Sequence, residues 1–151
     1  MSEQANTVTI KGDNAALTLE MLRYEYPYTA NVPDGNPIFA RVCAGTSAFK
    51  ADFTHTIYPF DLVSLKATLA ELYSMSEGEV EWRAAENFLN FTAERNRSGH
   101  IWWKIELIQH PDREAYTRLF LEINNDQTYL PYILQEIDAV LEVLTVIEYE
   151  G

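Results

Sequence analysis

The chain has 151 residues, 47% hydrophobic and 23% charged, a composition that fits one soluble globular domain and excludes disordered, collagenous and repeat-array chains. The single cysteine, Cys43, excludes an internal disulfide, and no Cys/His spacing suits a structural zinc, so packing must hold the fold. With 11 Lys and Arg against 23 Asp and Glu, the formal net charge of -12 repels nucleic-acid backbones and anionic lipid and demotes both as partners.

Met1 to Lys11 lacks the basic and apolar regions of a secretory signal, and no run approaches the roughly 20 apolar residues of a membrane span, so a cytoplasmic location is expected. Strand-like segments run from Val8 to Lys11 and from Leu17 to Tyr26. In the second the apolar parity switches between Met21 and Leu22, which predicts a bulge or strong bend. Pro27 to Pro37, with three prolines and Gly35, is the longest irregular connection and is expected at the surface. A third strand is read from Ile38 to Ala44. The fourth shows the clearest alternation, with Phe49, Ala51, Phe53, His55 and Ile57 on one parity and Lys50, Asp52, Thr54 and Thr56 on the other.

Between Pro59 and Ser74 the spacing becomes helical, with Leu62, Leu65, Leu69, Leu72 and Tyr73 on one face. Four more strands follow, marked by Val80/Trp82, Leu89/Phe91/Ala93, Ile101/Trp103/Ile105/Leu107 and Leu119/Leu121/Ile123. Trp82, Trp103, Phe53, Phe91 and Leu107 read as core. Trp102 and Phe120 have the opposite parity, which means either cross-strand packing or an exposed contact patch. The last helix runs from Tyr129 to Leu144 on a stripe of Leu130, Ile133, Leu134, Ile137, Val140, Leu141 and Leu144. Thr128 is its expected cap, because that start places Pro131 at the third helical position, where a missing N–H costs no internal bond. The expected fold is α+β: one domain, 1–151, with a curved, mostly antiparallel sheet of about eight strands and two helices packed on its apolar face, in the order ββββ-α-ββββ-α. The two halves share this order without matching residues.

No phosphate loop, H-E-x-x-H, G-x-S-x-G or C-x-x-C motif is present, and neither a cofactor nor a metal is expected. His55 reads as a satisfied, partly buried side chain, His100 and His110 as turn-edge residues, and Cys43 as a buried thiol. Non-enzymatic function is the expectation. The enzymatic alternative pairs His100 with a carboxylate and requires it to open onto a pocket. The aromatic content, seven Phe, nine Tyr and three Trp, also leaves open a small-molecule carrier with a cavity between helices and sheet.

The acids are unevenly placed. Glu79, Glu81, Glu94, Glu106 and Glu122 face Arg83, Lys104 and Arg118 on the wet side of the later strands. From Asp126 to Gly151 there are six acids and no Lys or Arg, which is half of the net charge of -12. On the last helix Tyr132, Glu136, Ala139 and Val143 form an outer strip, with Asp138 and Glu142 also away from the leucine stripe. Tyr132, Glu136, Asp138, Glu142 and Val143 are therefore either a solvated acidic face, with the tail Val146 to Tyr149 covering its apolar members, or a docking face for a basic protein.

Tyr24-Glu25-Tyr26-Pro27, Ala30-Asn31, Gly78 leading to Glu86, Gly99-His100-Ile101 and, most sharply, Asp126-Gln127-Thr128-Tyr129-Leu130 together resemble the WapI-type immunity proteins over nearly the whole chain. After Asn31 this chain carries Val32-Pro33 and a longer loop where the family pattern has Trp-Leu. The resemblance implies a small bacterial cytoplasmic protein that neutralises the toxic tip of a wall-associated toxin, in some cases a tRNA-cleaving nuclease. It supplies no catalytic residue. A basic toxin domain is thus the expected partner, with a small-molecule-binding or general interaction module as the alternative.

Overall fold

The computed structural model describes residues 6–25 and 36–150, with residues 145–150 described by their backbone alone. Two antiparallel four-stranded sheets form, each a meander followed by a helix. The first contains β1 (Thr7–Lys11), β2 (Ala16–Tyr24), β3 (Ile38–Gly45) and β4 (Lys50–Ile57), and leads into α1 (Pro59–Ser74). The second contains β5 (Gly78–Arg83), β6 (Leu89–Arg95), β7 (His100–Gln109) and β8 (Thr117–Asp126). A 3-10 turn, Gln127–Tyr129, then leads into α2 (Leu130–Glu150). The α+β class and the ββββ-α-ββββ-α order agree with the sequence pattern. The eight strands are divided between two sheets, a division that alternation within a strand does not encode.

The expected bulge is present. Met21 pairs with Ala40 and Arg23 with Phe39, so Leu22 is the extra residue, and its side chain is exposed. Phe49 departs from its expected inward parity and is 71% exposed, because it precedes β4 and sits in the β3–β4 turn, where Thr46 N donates to its carbonyl. Tyr73 likewise leaves the leucine face of α1: Leu62, Leu65, Leu69 and Leu72 are buried while Tyr73 is exposed. It lies about 20° outside the leucine stripe on the helical wheel and is the last but one residue of α1, at the rim of the packed face.

Both sheets and both helices contribute to one cluster of buried apolar residues. Around Leu65 of α1, side chains of β1, β2, β5 and β6 converge so closely that the void among Val8, Ile10, Leu17, Leu19, Trp82, Leu89 and Phe91 is about 10 Å³. That space is no larger than a single water requires. Phe91 stands between Trp82 and Trp103 at centroid distances of 5.6 and 5.3 Å, tilted against the first and edge-on to the second.

Three polar ties fix the geometry. Asp61, 2% exposed, accepts from the backbone N–H of Tyr58 at 3.0 Å and of Ala85 at 2.9 Å, so the first turn of α1 is fastened to the β5–β6 connection. Burial raises its carboxyl pKa, an effect those two N–H donors oppose. Arg95 of β6 donates to the carbonyls of Leu72 and Tyr73 and to the side chain of Gln127, placing a cation on the carboxyl end of α1. Asn125 of β8 accepts from Trp103 Nε1 at 2.8 Å and donates to Lys11 O at 3.0 Å, joining the second sheet to β1 of the first. Gly12 permits that approach, since a Cβ there would lie 2.3 Å from Asn124 O.

Replacing Asn125 by Ala strands a buried indole N–H and a carbonyl, so it should lower the unfolding free energy by about 2–4 kcal/mol. Asn124→Ala, on the exposed side of the same strand, should cost about 0.5 kcal/mol or less. Equal effects of the two in urea denaturation would reject Asn125 as the joint.

Candidate functional site

α2 begins differently from the expectation that Thr128 caps it. The Asp126 carboxylate accepts from Thr128 N at 2.8 Å and Thr128 Oγ1 at 2.5 Å, which holds its pKa below the ordinary range. Because a 3-10 turn separates this cap from α2, Pro131 still falls at the second residue of the helix proper, where no N–H is needed. Leu130, Ile133, Ile137 and Val140 are then buried against the core, which sets the orientation of the outer residues.

The five residues expected to meet a partner divide into two groups. Tyr132, Glu136 and Val143 share one strip, with Tyr132 70% exposed and Val143 half-buried. Glu136 turns toward the free edge of β1, where its Oε1 accepts from Thr9 N at 2.9 Å. The acid therefore satisfies an edge-strand donor that no neighbouring strand among the described residues reaches. Burial raises its pKa, opposed by the Thr9 N–H and by Lys11. Asp138 and Glu142 lie one turn apart on a second strip. Asp138 pairs with Lys66 of α1 at 2.6 Å, and Glu142 is exposed with no ion pair among the described residues. The expected tail, Val146 to Tyr149, continues α2 as helix; its side chains lie outside the described residues.

A second cluster was not singled out in the sequence, although two of its members belong to the family-like fragments. Tyr58 OH donates to Glu86 at 2.8 Å, Thr56 Oγ1 donates to Glu25 at 2.8 Å, and the Tyr58 ring stacks on Phe60 at 5.0 Å. The Glu86 bond, burial and the charges of Glu86, Glu25 and Asp61 push the Tyr58 pKa up to about 12. Phe60 is 42% exposed and Val63, one turn further, is 54% exposed. The available sequence signal was the apolar character of the α1 side opposite its leucines. The connection Pro27 to Pro37, which follows Glu25, lies outside the described residues save Asn36 and Pro37.

For the enzymatic and carrier alternatives, the outer face of the first sheet carries an open cavity of about 260 Å³ beside Cys43, Lys50 and Asp52. His100 is exposed, with Nε2 3.1 Å from the amide oxygen of Asn124, while the carboxylate of Asp126, opposite it in the ladder, is held by Thr128. His55 is half-buried and stacks on Phe88 at 4.6 Å. Cys43 is half-buried on the outer face of the first sheet, where Asp52 accepts from its Sγ at 3.5 Å and burial raises the thiol pKa. Asp52 itself is gripped at both oxygens by Arg41, which holds its carboxyl at about 2. On the second sheet's outer face Trp102 packs across strands, with Nε1 on Glu122 at 2.5 Å and Lys104 over its ring, whereas Phe120 is 70% exposed. Among the described residues no three His, Cys, Asp or Glu side chains are grouped to hold a metal, and no helix is long and apolar enough to cross a membrane.

The family-like fragments have structural work to do. The Gln127 backbone donates to Gly99 O at 2.8 Å, its side chain accepts from Arg95, and a Cβ on Gly99 would press within 2.9 Å of it. Gly99 has φ +91°, a conformation that favours glycine.

Comparison with known proteins gives a family and a fold. The model of the immunity protein WapI-like family matches residues 8–145. No curated protein matches the chain. Among solved structures the chain is similar to the plant transcriptional regulator PBF-2, with a TM-score of 0.55, 9% identity, and coverage of 95% of this chain and 92% of that one. It is also similar to WHY1 from Arabidopsis thaliana, with a TM-score of 0.48, 10% identity, and coverage of 91% and 89%. At 9% identity the likeness to PBF-2 is one of fold alone.

The position of Glu136 generates a pH prediction. Its folded pKa lies above its ordinary value of 4.5, so its contribution to stability is present below that pH and is lost as the pH rises through the folded pKa. Glu136→Gln keeps an oxygen for Thr9 and removes the titration. The variant's thermal midpoint minus that of the native chain should therefore grow from pH 4.5 upward and then level off; a difference constant with pH would reject the buried placement.

Proposed function

The chain belongs to the WapI-like immunity protein family, and from that premise we propose that it is a non-enzymatic, cytoplasmic immunity protein that binds a basic toxin domain and occludes its working surface. Family membership implies a toxin-inhibiting role exercised by binding a toxin protein. The basic character of the partner is our own inference. The observation that carries it is the net charge of -12, half of it contributed by the last 26 residues, from Asp126 onward. A field of that size accelerates association with a cationic surface, and a toxin that cleaves RNA must present such a surface to hold phosphates. A tRNA-cleaving nuclease is the toxin class that fits best.

Tyr132, Glu142 and Val143 are proposed as direct contacts, Tyr132 as an aromatic anchor and Glu142 as an exposed charge. Glu136 and Asp138 belong to the same proposed face. Their bonds to Thr9 and Lys66 mean that they shape it as well as charge it. No cofactor is required. Against the carrier alternative stands the packing around Leu65 between α1 and the sheets, where the void of about 10 Å³ is far below the space a small molecule needs.

The direct test is co-expression of this chain with carboxyl-terminal domains of wall-associated toxins, with growth rescue from a cognate domain as the expected result. In vitro, Glu142→Lys should slow association with that domain several-fold at low salt, and the difference should close as salt rises. Rescue without any salt dependence of binding would reject the basic partner and leave the inhibitory role standing.

A further inference from the structure

α1 is apolar on two sides. Its leucines are buried, yet Phe60, Val63, Ala67, Ala70 and Tyr73 are all exposed. At roughly 100° per residue the first four fall within a stripe about 80° wide, with Tyr73 beyond its edge. A helix on a protein surface ordinarily turns charged and polar residues outward, and one apolar all round is ordinarily covered. Two alanines make the middle of this stripe low, the Phe60 ring marks its amino end and Ser74 its carboxyl end. Such relief suits a side chain or helix laid across it better than it suits water.

Apart from Lys66, which borders the stripe between Ala70 and Tyr73 and is paired with Asp138, the charges beside it have one sign. Glu71 is exposed at its edge, Glu86 holds Tyr58, on which Phe60 stacks, and Glu25 lies in the same corner. Lys66, the sole cation of α1, is paired with Asp138, and Glu142 stands one turn beyond Asp138 on α2. We propose that this stripe is the apolar centre of the toxin-docking face, and that the partner presents an apolar patch ringed by lysine and arginine. The inference rests on the toxin-binding reading above and adds to it the surface and the chemistry of contact. A second copy of this chain is a poor occupant, since it would bring Glu71 and Glu86 toward their own counterparts across an interface between two chains of net charge -12. The outer face of the second sheet is the competing surface, but there Trp102 and Phe120 are interleaved with Lys104 and Arg118, which are engaged with neighbouring rings and acids.

The experiment compares the native chain, the double variant Val63→Lys plus Ala67→Lys, and Phe120→Lys for binding, by calorimetry, to the toxin domain from which the chain rescues growth. Both α1 positions are exposed and lysine is a good helix former, so the thermal midpoint should hold. The double variant should bind about tenfold or more weakly, and Phe120→Lys as the native chain does. Native binding with the double variant unaffected overturns the α1 assignment while the immunity reading stands. Absence of native binding overturns both. A native dimer in sedimentation that the double variant dissociates overturns the proposal in favour of a second copy, and loss of binding on Phe120→Lys alone moves the face to the second sheet.

Discussion

Asn125 presents an oxygen to the Trp103 indole and a nitrogen to the Lys11 carbonyl, and through that amide β8 of the second sheet meets the end of β1 of the first. Trp103 is wholly buried and Asn125 is 8% exposed, so the indole N–H has no water as a substitute for that amide oxygen. The approach is possible only because Gly12 has no side chain. With the sheets joined there, their apolar faces close on a shared core that also takes the inner faces of both helices. What remains for contact with another molecule is the outer side of each sheet and of each helix.

Those outer sides are not equivalent. On the sheets, charges and rings find partners on the same face: Arg41 with Asp52, Arg118 with Glu106 and Trp102 with Glu122 across strands, and Trp102 with Lys104 along β7. On the helices the balance is broken, because the only basic residue of either helix, Lys66, serves Asp138. The same division explains the fragments that mark the family. Gly99, Asp126 and Gln127 hold the turn into α2, and Gln127 with Arg95 ties that turn to the end of α1. Such residues preserve the scaffold whichever toxin is met, and the surface that must match a particular toxin is left to other positions.

Much of the fold was legible because its cause is local. Alternation fixed the inward face of β7 and β8, the parity switch located the bulge at Leu22, and the leucine spacing found α1. Phe49 lies one residue before β4 and Tyr73 is the last but one residue of α1, and at such ends the periodic rule loses its hold on a side chain. The site was less legible for a different reason. That Glu136 meets an N–H 127 residues away, or that Asp138 meets Lys66, depends on which edge α2 lies against, and no pattern within α2 contains that information. The apolar outer stripe of α1 was in principle readable, but the eye follows the leucines; its significance depends on knowing that nothing among the described residues covers it.

Pairing also changes what the charge of -12 means. A salt bridge such as Lys66–Asp138 cancels locally, yet the sum over the chain is unaltered, and beyond roughly 8 Å at physiological ionic strength even that sum is strongly screened. Long-range attraction of a cationic partner therefore draws on every uncompensated acid, whereas the strength of the final contact depends on what lies within a few ångströms. Exposed acids are poor at the second task, since a surface ion pair is worth about 0–1 kcal/mol, while a desolvated aromatic or aliphatic anchor is worth more than that. The acids of α2 and the apolar stripe of α1 are thus not rival explanations of recognition. In the proposed complex one would raise the frequency of encounter and the other would lengthen its duration, and the packing of the two helices against each other brings the two features onto neighbouring elements.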